Sequence, residues 1–159
     1  MNKPFGRLII VCGLPGSGKT TAALRLQQEQ SALRLSADDW MTSLSINLKD
    51  EAFREKVEAL QWMLGKELLT LGLTVIIEWG TWARAGRDRF RTEARNLGAF
   101  VDLYYLSAPL DVLFDRIQRR GAEDPPIARE ALSAWARLIQ PPTSEEMTRY
   151  DQVTSDIAE

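Results

Sequence analysis

Histidine is absent from all 159 residues of this chain. That excludes the Ser-His-Asp and Cys-His routes to nucleophilic catalysis and removes the imidazole ligands of common zinc sites. Any general base must be a carboxylate, a lysine, a tyrosine or a water molecule. Cysteine occurs once, as Cys12, so no intrachain disulfide can form and a reducing, cytoplasmic setting is expected. No apolar stretch approaches the length that spans a bilayer, so no membrane association is expected. Met1-Asn2-Lys3-Pro4-Phe5 leads directly into an apolar run, leaving no room for a secretion signal. Excess charge is lacking as well. A formal net charge of −2 gives no general pull toward nucleic acid or anionic membranes. The length suits one domain, 1–159, with a proper core.

Against these absences stands one dense motif. Gly13-Leu14-Pro15-Gly16-Ser17-Gly18-Lys19-Thr20 fits the phosphate-binding pattern G-x-x-x-x-G-K-[ST]. The apolar run Arg7–Cys12 before it suits a buried parallel strand, and the segment from Thr21 to Glu29 after it is a good helix former. Strand, glycine-rich turn and helix are the context the motif requires. Glycines let successive backbone N–H groups point inward at phosphate oxygens, and the new helix adds unpaired amides and the positive end of its dipole. In this pattern Lys19 reaches the β- and γ-phosphates and the Thr20 hydroxyl holds Mg²⁺, with Thr21 next in line.

Apolar runs alternate with amphipathic stretches along the rest of the chain. Leu33–Ser36 reads as a short strand, and about 50–71 as one long helix with Phe53, Val57, Leu60, Leu64 and Leu68 at helical spacing. Leu73–Ile77 is a β-branched strand, Arg84–Leu97 a helix, and Phe100–Leu106 a strand. A helix from Ser107-Ala108-Pro109 to Arg120 follows, then helices near Ile127–Leu138 and Ser144–Thr148 and a short strand near Tyr150–Val153. Such alternation predicts a parallel sheet covered on both faces. Ligands of such sheets sit at the strands' carboxyl ends. That rule gathers Gly13–Thr20, Ser36–Trp40, Glu78–Trp82 and Ser107–Pro109 on one rim.

Several residues on that rim suit phosphoryl transfer. A carboxylate can orient a hydroxyl acceptor and take its proton. Asp38 is the candidate, with Asp39 as a second substrate or metal contact; the alternative is that Asp38 caps a helix and Asp39 is solvated. Glu78 can hold Mg²⁺ through water or bind the acceptor, or else cap the turn that follows it. Trp40, Trp79 and Trp82 can stack on a flat substrate or equally close the edge of the core, with Trp40 the candidate substrate contact. Arg116, Arg119 and Arg120 carry guanidinium groups suited to charge spreading over a transferring phosphoryl group; Arg120 can instead complement a helix dipole. Arg84, Arg87, Arg91 and Arg95 form a stripe that reads mainly as a solvated face, with Arg87 the one substrate contact expected from it.

Taken together, these residues resemble the small P-loop kinases of the polynucleotide-kinase, zeta-toxin and chloramphenicol-phosphotransferase type, a group that includes AAA-family ATP-binding proteins. The likeness runs from Arg7 to about Tyr150. Ser36-Ala37-Asp38-Asp39-Trp40 looks like the segment with the catalytic aspartate, Val75–Glu78 followed by Arg87 like the third strand and its downstream arginine, and Asp111–Arg120 like the lid helix whose arginines meet ATP phosphates. Pro142-Thr143-Ser144-Glu145-Glu146 resembles a late proline-acidic segment. The resemblance implies an α/β fold of P-loop NTPase type: a three-layer α/β/α sandwich with strand order 2-3-1-4-5. It also implies Mg-ATP as phosphoryl donor. Glu78 departs from the aspartate many relatives carry there, and the chain stops soon after Tyr150, so the last strand is expected to be short or missing.

The leading expectation is an ATP-dependent kinase for a small-molecule or nucleoside-type hydroxyl acceptor, with Lys19, Asp38, Arg116 and Arg120 in the catalytic roles. The low charge argues against long nucleic acid as partner. A nucleotide-dependent ATPase or switch acting on another protein is the alternative, and a nucleotide-binding module without catalysis a third.

Overall fold

The computed structural model describes residues 5–122 and 125–157. Met1–Pro4, where the sequence reading leaves no room for a secretion signal, lie outside the described residues, as do Glu123 and Asp124 of the Gly121–Pro126 stretch.

Three strands form the centre: β1 (Arg7–Gly13), β3 (Thr74–Gly80) and β4 (Phe100–Ser107). β2 (Leu33–Leu35) and β5 (Gln152–Ile157) flank them. The order is β2-β3-β1-β4-β5, parallel at every pairing. Alternating side chains divide the core in two. Leu8, Ile10 and Cys12 join Val75, Ile77, Val101, Leu103 and Tyr105 on one face. Ile9, Val11 and Ile76 join Leu106 on the other. Because both faces are apolar, both must be covered. α1 (Lys19–Glu29) covers the second face with Ala23 and Leu26. α3 (Glu51–Thr70) and α4 (Arg84–Asn96) cover the first with Trp62, Leu69, Phe90 and Ala94. A third cluster packs α5 (Leu110–Arg120) on α6 (Arg129–Leu138) through Leu113, Ile117 and Leu132, with Leu14 against it. α7 (Ser144–Met147) precedes β5. Among the described residues no helix is long and apolar enough to cross a membrane.

Three boundaries differ from the sequence reading, each for a local reason. The segment Ser36-Ala37-Asp38-Asp39-Trp40, given no element of its own in the sequence reading, starts α2 (Ala37–Ser43), and its cap is Ser36 rather than Asp38. Ser36 Oγ accepts from Asp39 N at 3.3 Å, and Asp38 and Asp39 fill the first turn, where negative charge is favoured. β3 continues through Gly80, so Glu78 lies within the strand rather than at its end. The last strand is neither short nor missing: six residues of β5 pair along Asp102–Ser107.

Candidate active site

β1 delivers the glycine-rich loop from the centre of the sheet. Gly16 and Gly18 have φ of 80° and 95°, in the left-handed region that a side chain disfavours. At Gly16 a Cβ would also stand 2.7 Å from the Leu113 carbonyl oxygen of α5, so only glycine lets loop and helix touch. Gly18 caps α1 without a side chain, and the first turn of α1 holds no acidic residue. The helix therefore keeps its amides and positive dipole end for an outside anion. Ser17 Oγ, in the middle of the loop, is buried without a hydrogen-bond partner. These features fit a phosphate-binding cradle.

Lys19 Nζ folds back to donate to Leu14 O at 2.9 Å. Burial draws its ammonium below the ordinary range, opposed by Glu78, Cys12 and Asp38, while Arg120 adds to the fall. Lys19, Glu78, Asp38 and Arg120 thus share one electrostatic neighbourhood, although they come from four separate elements. Cys12, immediately before the loop, is buried, and that burial pushes its thiol up. A neutral thiol there is packing material, not a nucleophile.

On the β2–β3 side the acids are each held by a base. Thr20 Oγ1 donates to Glu78 Oε1, and Arg34 Nη1 donates to Glu78 Oε2 at 2.7 Å. The other Arg34 nitrogen, Nη2, pairs with Asp39. Asp38 accepts from Arg54 Nη1 at 2.7 Å, and Arg54 Nη2 donates to Leu48 O at 2.8 Å. The Asp38 side chain is 63% exposed and that of Glu78 only 6%. Asp38 is open to solvent, whereas Glu78 is held behind Thr20 and Arg34. Nearby on α3, burial pushes the Glu58 carboxyl up to about 7; Arg54 opposes, and Glu51, Asp38 and Glu55 reinforce.

The tryptophans separate. Trp40 lies partly exposed on α2. Trp79 packs edge-on against Trp62 and Phe90 and donates to Gln61 Oε1 at 2.7 Å, closing the core rather than facing the rim. Trp82 Nε1 donates to Gly13 O at 3.0 Å, so its indole holds the beginning of the loop.

On the β4 side, Arg116 Nη1 reaches Gly16 O at 3.4 Å, and Arg119 and Arg120 are exposed at the end of α5. Between this helix, β4 and α6 lies a cavity of about 220 Å³ lined by Leu14, Tyr105, Ser107, Leu113, Ile139 and Pro141, among others. Arg87 does not reach the rim. It is fully buried against Glu146, so the structure places it under the site rather than in contact with an acceptor.

Arg34, Arg54 and Glu58 escaped sequence reasoning because no motif contains them. For Arg34 a faint signal existed: a cation between leucines in a strand needs a buried partner. Among the described residues no three His, Cys, Asp or Glu side chains gather as a metal cage. Mg²⁺ needs none, since it keeps several waters and uses one or two protein groups plus substrate phosphates. Thr20 and Glu78, in direct contact at the loop, are a fitting pair.

The family model for an AAA domain, AAA_33, matches residues 8–142. No curated protein matches the chain. Solved structures share its fold. A candidate kinase from Chloroflexus aurantiacus J-10-fl superposes with a TM-score of 0.72 at 22% identity, over 99% of this chain and 86% of that one. A gluconokinase from Sinorhizobium meliloti 1021 gives 0.66 at 20% identity, over 100% and 86%. Kti12 from Chaetomium thermophilum, solved with ADP-AlF3, gives 0.69 at 19% identity, over 95% and 88%.

Proposed function

The chain belongs to the AAA-domain family whose model spans residues 8–142, and on that premise we propose that it is an ATP-dependent phosphotransferase acting on a hydroxyl of a small molecule. The observation that carries this reading is the convergence at one rim of an empty-handed helix N-terminus, the loop lysine Lys19 and the exposed carboxylate of Asp38. The first two suit a triphosphate, and the third suits the proton of an acceptor. In this reading the amides of Gly16–Thr20 and Lys19 bind the β- and γ-phosphates. Thr20 and Glu78 hold Mg²⁺, which supplies charge neutralisation on the phosphates. Asp38 orients the acceptor hydroxyl and accepts its proton, with Arg54 fixing the carboxylate from behind. Arg116 and Arg120 face the loop from α5 and stabilise charge on the transferring group.

The two sides of the loop divide the labour. The apolar cavity beside Leu14 and Ser107 suits a nucleotide base, and the charged surface of α2, with Asp38, Asp39 and Trp40, suits a polar acceptor.

Turnover of γ-labelled ATP against a panel of hydroxylated metabolites, nucleosides and antibiotics tests this reading. Label is expected on one acceptor class, with Asp38→Asn lowering transfer about 10²–10⁴-fold while ATP still binds. Full transfer by folded Asp38→Asn would refute the assigned base. Label released only as inorganic phosphate would favour an ATPase or switch that acts through a protein partner.

A further inference from the structure

A heavily hydrogen-bonded arginine lies just beneath the site. Arg87 sits in the first turn of α4 and is fully buried. Its Nε and Nη2 donate to the two oxygens of Glu146 at 2.7 and 2.9 Å. Nη1 donates to the carbonyls of Thr81 and Trp82, both at 3.0 Å, and Nη2 to that of Gln140 at 2.8 Å. A guanidinium has five N–H donors, and here each meets an oxygen. A buried ion pair is weak evidence for stability, because apolar side chains of similar volume often serve as well. So complete a set of bonds to backbone oxygens points to placement of the chain.

What is placed is strained. Thr81 has φ of 44°, a costly conformation for a β-branched residue, and its buried hydroxyl has no partner. The clamp on the carbonyls of Thr81 and Trp82 holds this turn, and the turn aims the Trp82 N–H at Gly13 O. The same guanidinium holds Gln140. The Gln140 N–H donates to Trp82 O at 2.9 Å, and its side-chain oxygen accepts from Arg84 N at 2.8 Å. Its neighbours Ile139 and Pro141 line the cavity beside the loop, and Trp135 of α6 packs at 6.2 Å from Trp82.

We propose that Arg87 is a positioning residue for nucleotide binding: through Trp82 it sets the phosphate loop at Gly13, and through Gln140 it sets the wall of the adjoining cavity. The inference rests on the nucleotide-binding reading above and explains why the arginine that sequence reasoning assigned to substrate lies underneath instead.

Calorimetric titration of the full chain with MgATP and with inorganic tripolyphosphate separates the two arms. Trp82→Phe keeps an aromatic ring on the Trp135 side while removing the N–H to Gly13 together with part of the indole, so both ligands should weaken together, by roughly threefold to tenfold. Arg87→Lys keeps the charge but has three donors for five acceptors. It should weaken MgATP several-fold more than tripolyphosphate, because it also frees the Gln140 wall. A purely structural role would lower melting temperature without that split at temperatures where the variant is folded. Folded Trp82→Phe with wild-type affinity for both ligands would overturn the proposal, and this variant decides it alone if Arg87→Lys does not fold. A wild-type chain that binds neither ligand would instead overturn the nucleotide-binding reading, and the inference with it.

Discussion

Replacing Arg87 by methionine is expected to cost about 3–5 kcal/mol of folding stability, the usual result of removing one partner from a buried ion pair. The magnitude follows from what remains. Glu146 has no exposed side-chain surface and would keep only a long contact from the Tyr150 hydroxyl at 3.4 Å. Of the three carbonyls that lose a donor, that of Trp82 still accepts from Gln140 N. That of Thr81 keeps only the weaker Cys12 thiol at 3.3 Å, and that of Gln140 loses its guanidinium donor, together about 1–2 kcal/mol. The double variant Arg87→Met with Glu146→Leu removes the stranded charge and should recover roughly 2 kcal/mol of the loss. At about 2–4 °C per kcal/mol for a chain of this size, the single variant should melt roughly 6–20 °C below wild type. Equilibrium urea denaturation followed by tryptophan fluorescence and circular dichroism reads both numbers. A single variant within about 1 kcal/mol of wild type, or a double variant less stable than the single, would refute the reasoning.

Two further outcomes follow from the site. Glu58 has its folded pKa raised from an ordinary 4.5 to about 7, so between these values the folded state binds more protons and wild-type stability falls as pH rises. Glu58→Gln should lack that slope, gaining on wild type from pH 4.5 to 7 and levelling at roughly 1–2 kcal/mol, after allowance for solvent screening of a partly exposed group; parallel stability–pH curves for the two proteins would contradict it. Gly16→Ala should be more damaging than Gly18→Ala in thermal denaturation. Both positions are left-handed, but a Cβ at Gly16 meets the Leu113 carbonyl at 2.7 Å whereas one at Gly18 meets nothing within 4 Å. Equal losses would show that backbone strain alone governs the loop.

Much of the fold was legible because its signals are local. Apolar β-branched runs separated by amphipathic stretches specify parallel strands with covering helices, and the glycines of Gly13–Thr20 specify the turn between β1 and α1. The strand order came from resemblance, since periodicity does not say which strands are neighbours; the structure shows the same order. The end of β3 and the extent of β5, read as a short strand near Tyr150–Val153, were misjudged because their pairing partners, β1 and β4, lie far away in sequence.

Side-chain roles divide along the same line. The sequence by itself determined that a phosphate-binding loop stands at a strand end with Lys19 and Thr20 following it, because every requirement of that motif lies within a dozen residues of backbone. Only the tertiary structure decided what the arginines do. Arg34 and Arg54 hold Glu78, Asp39 and Asp38, Arg116 touches the loop, and Arg87 lies beneath it with all five donors engaged. A guanidinium on a helix looks the same in sequence whether it faces water, phosphate or a buried carboxylate. Its role is set by the oxygens that other elements bring within about 3 Å, and chain packing alone determines those.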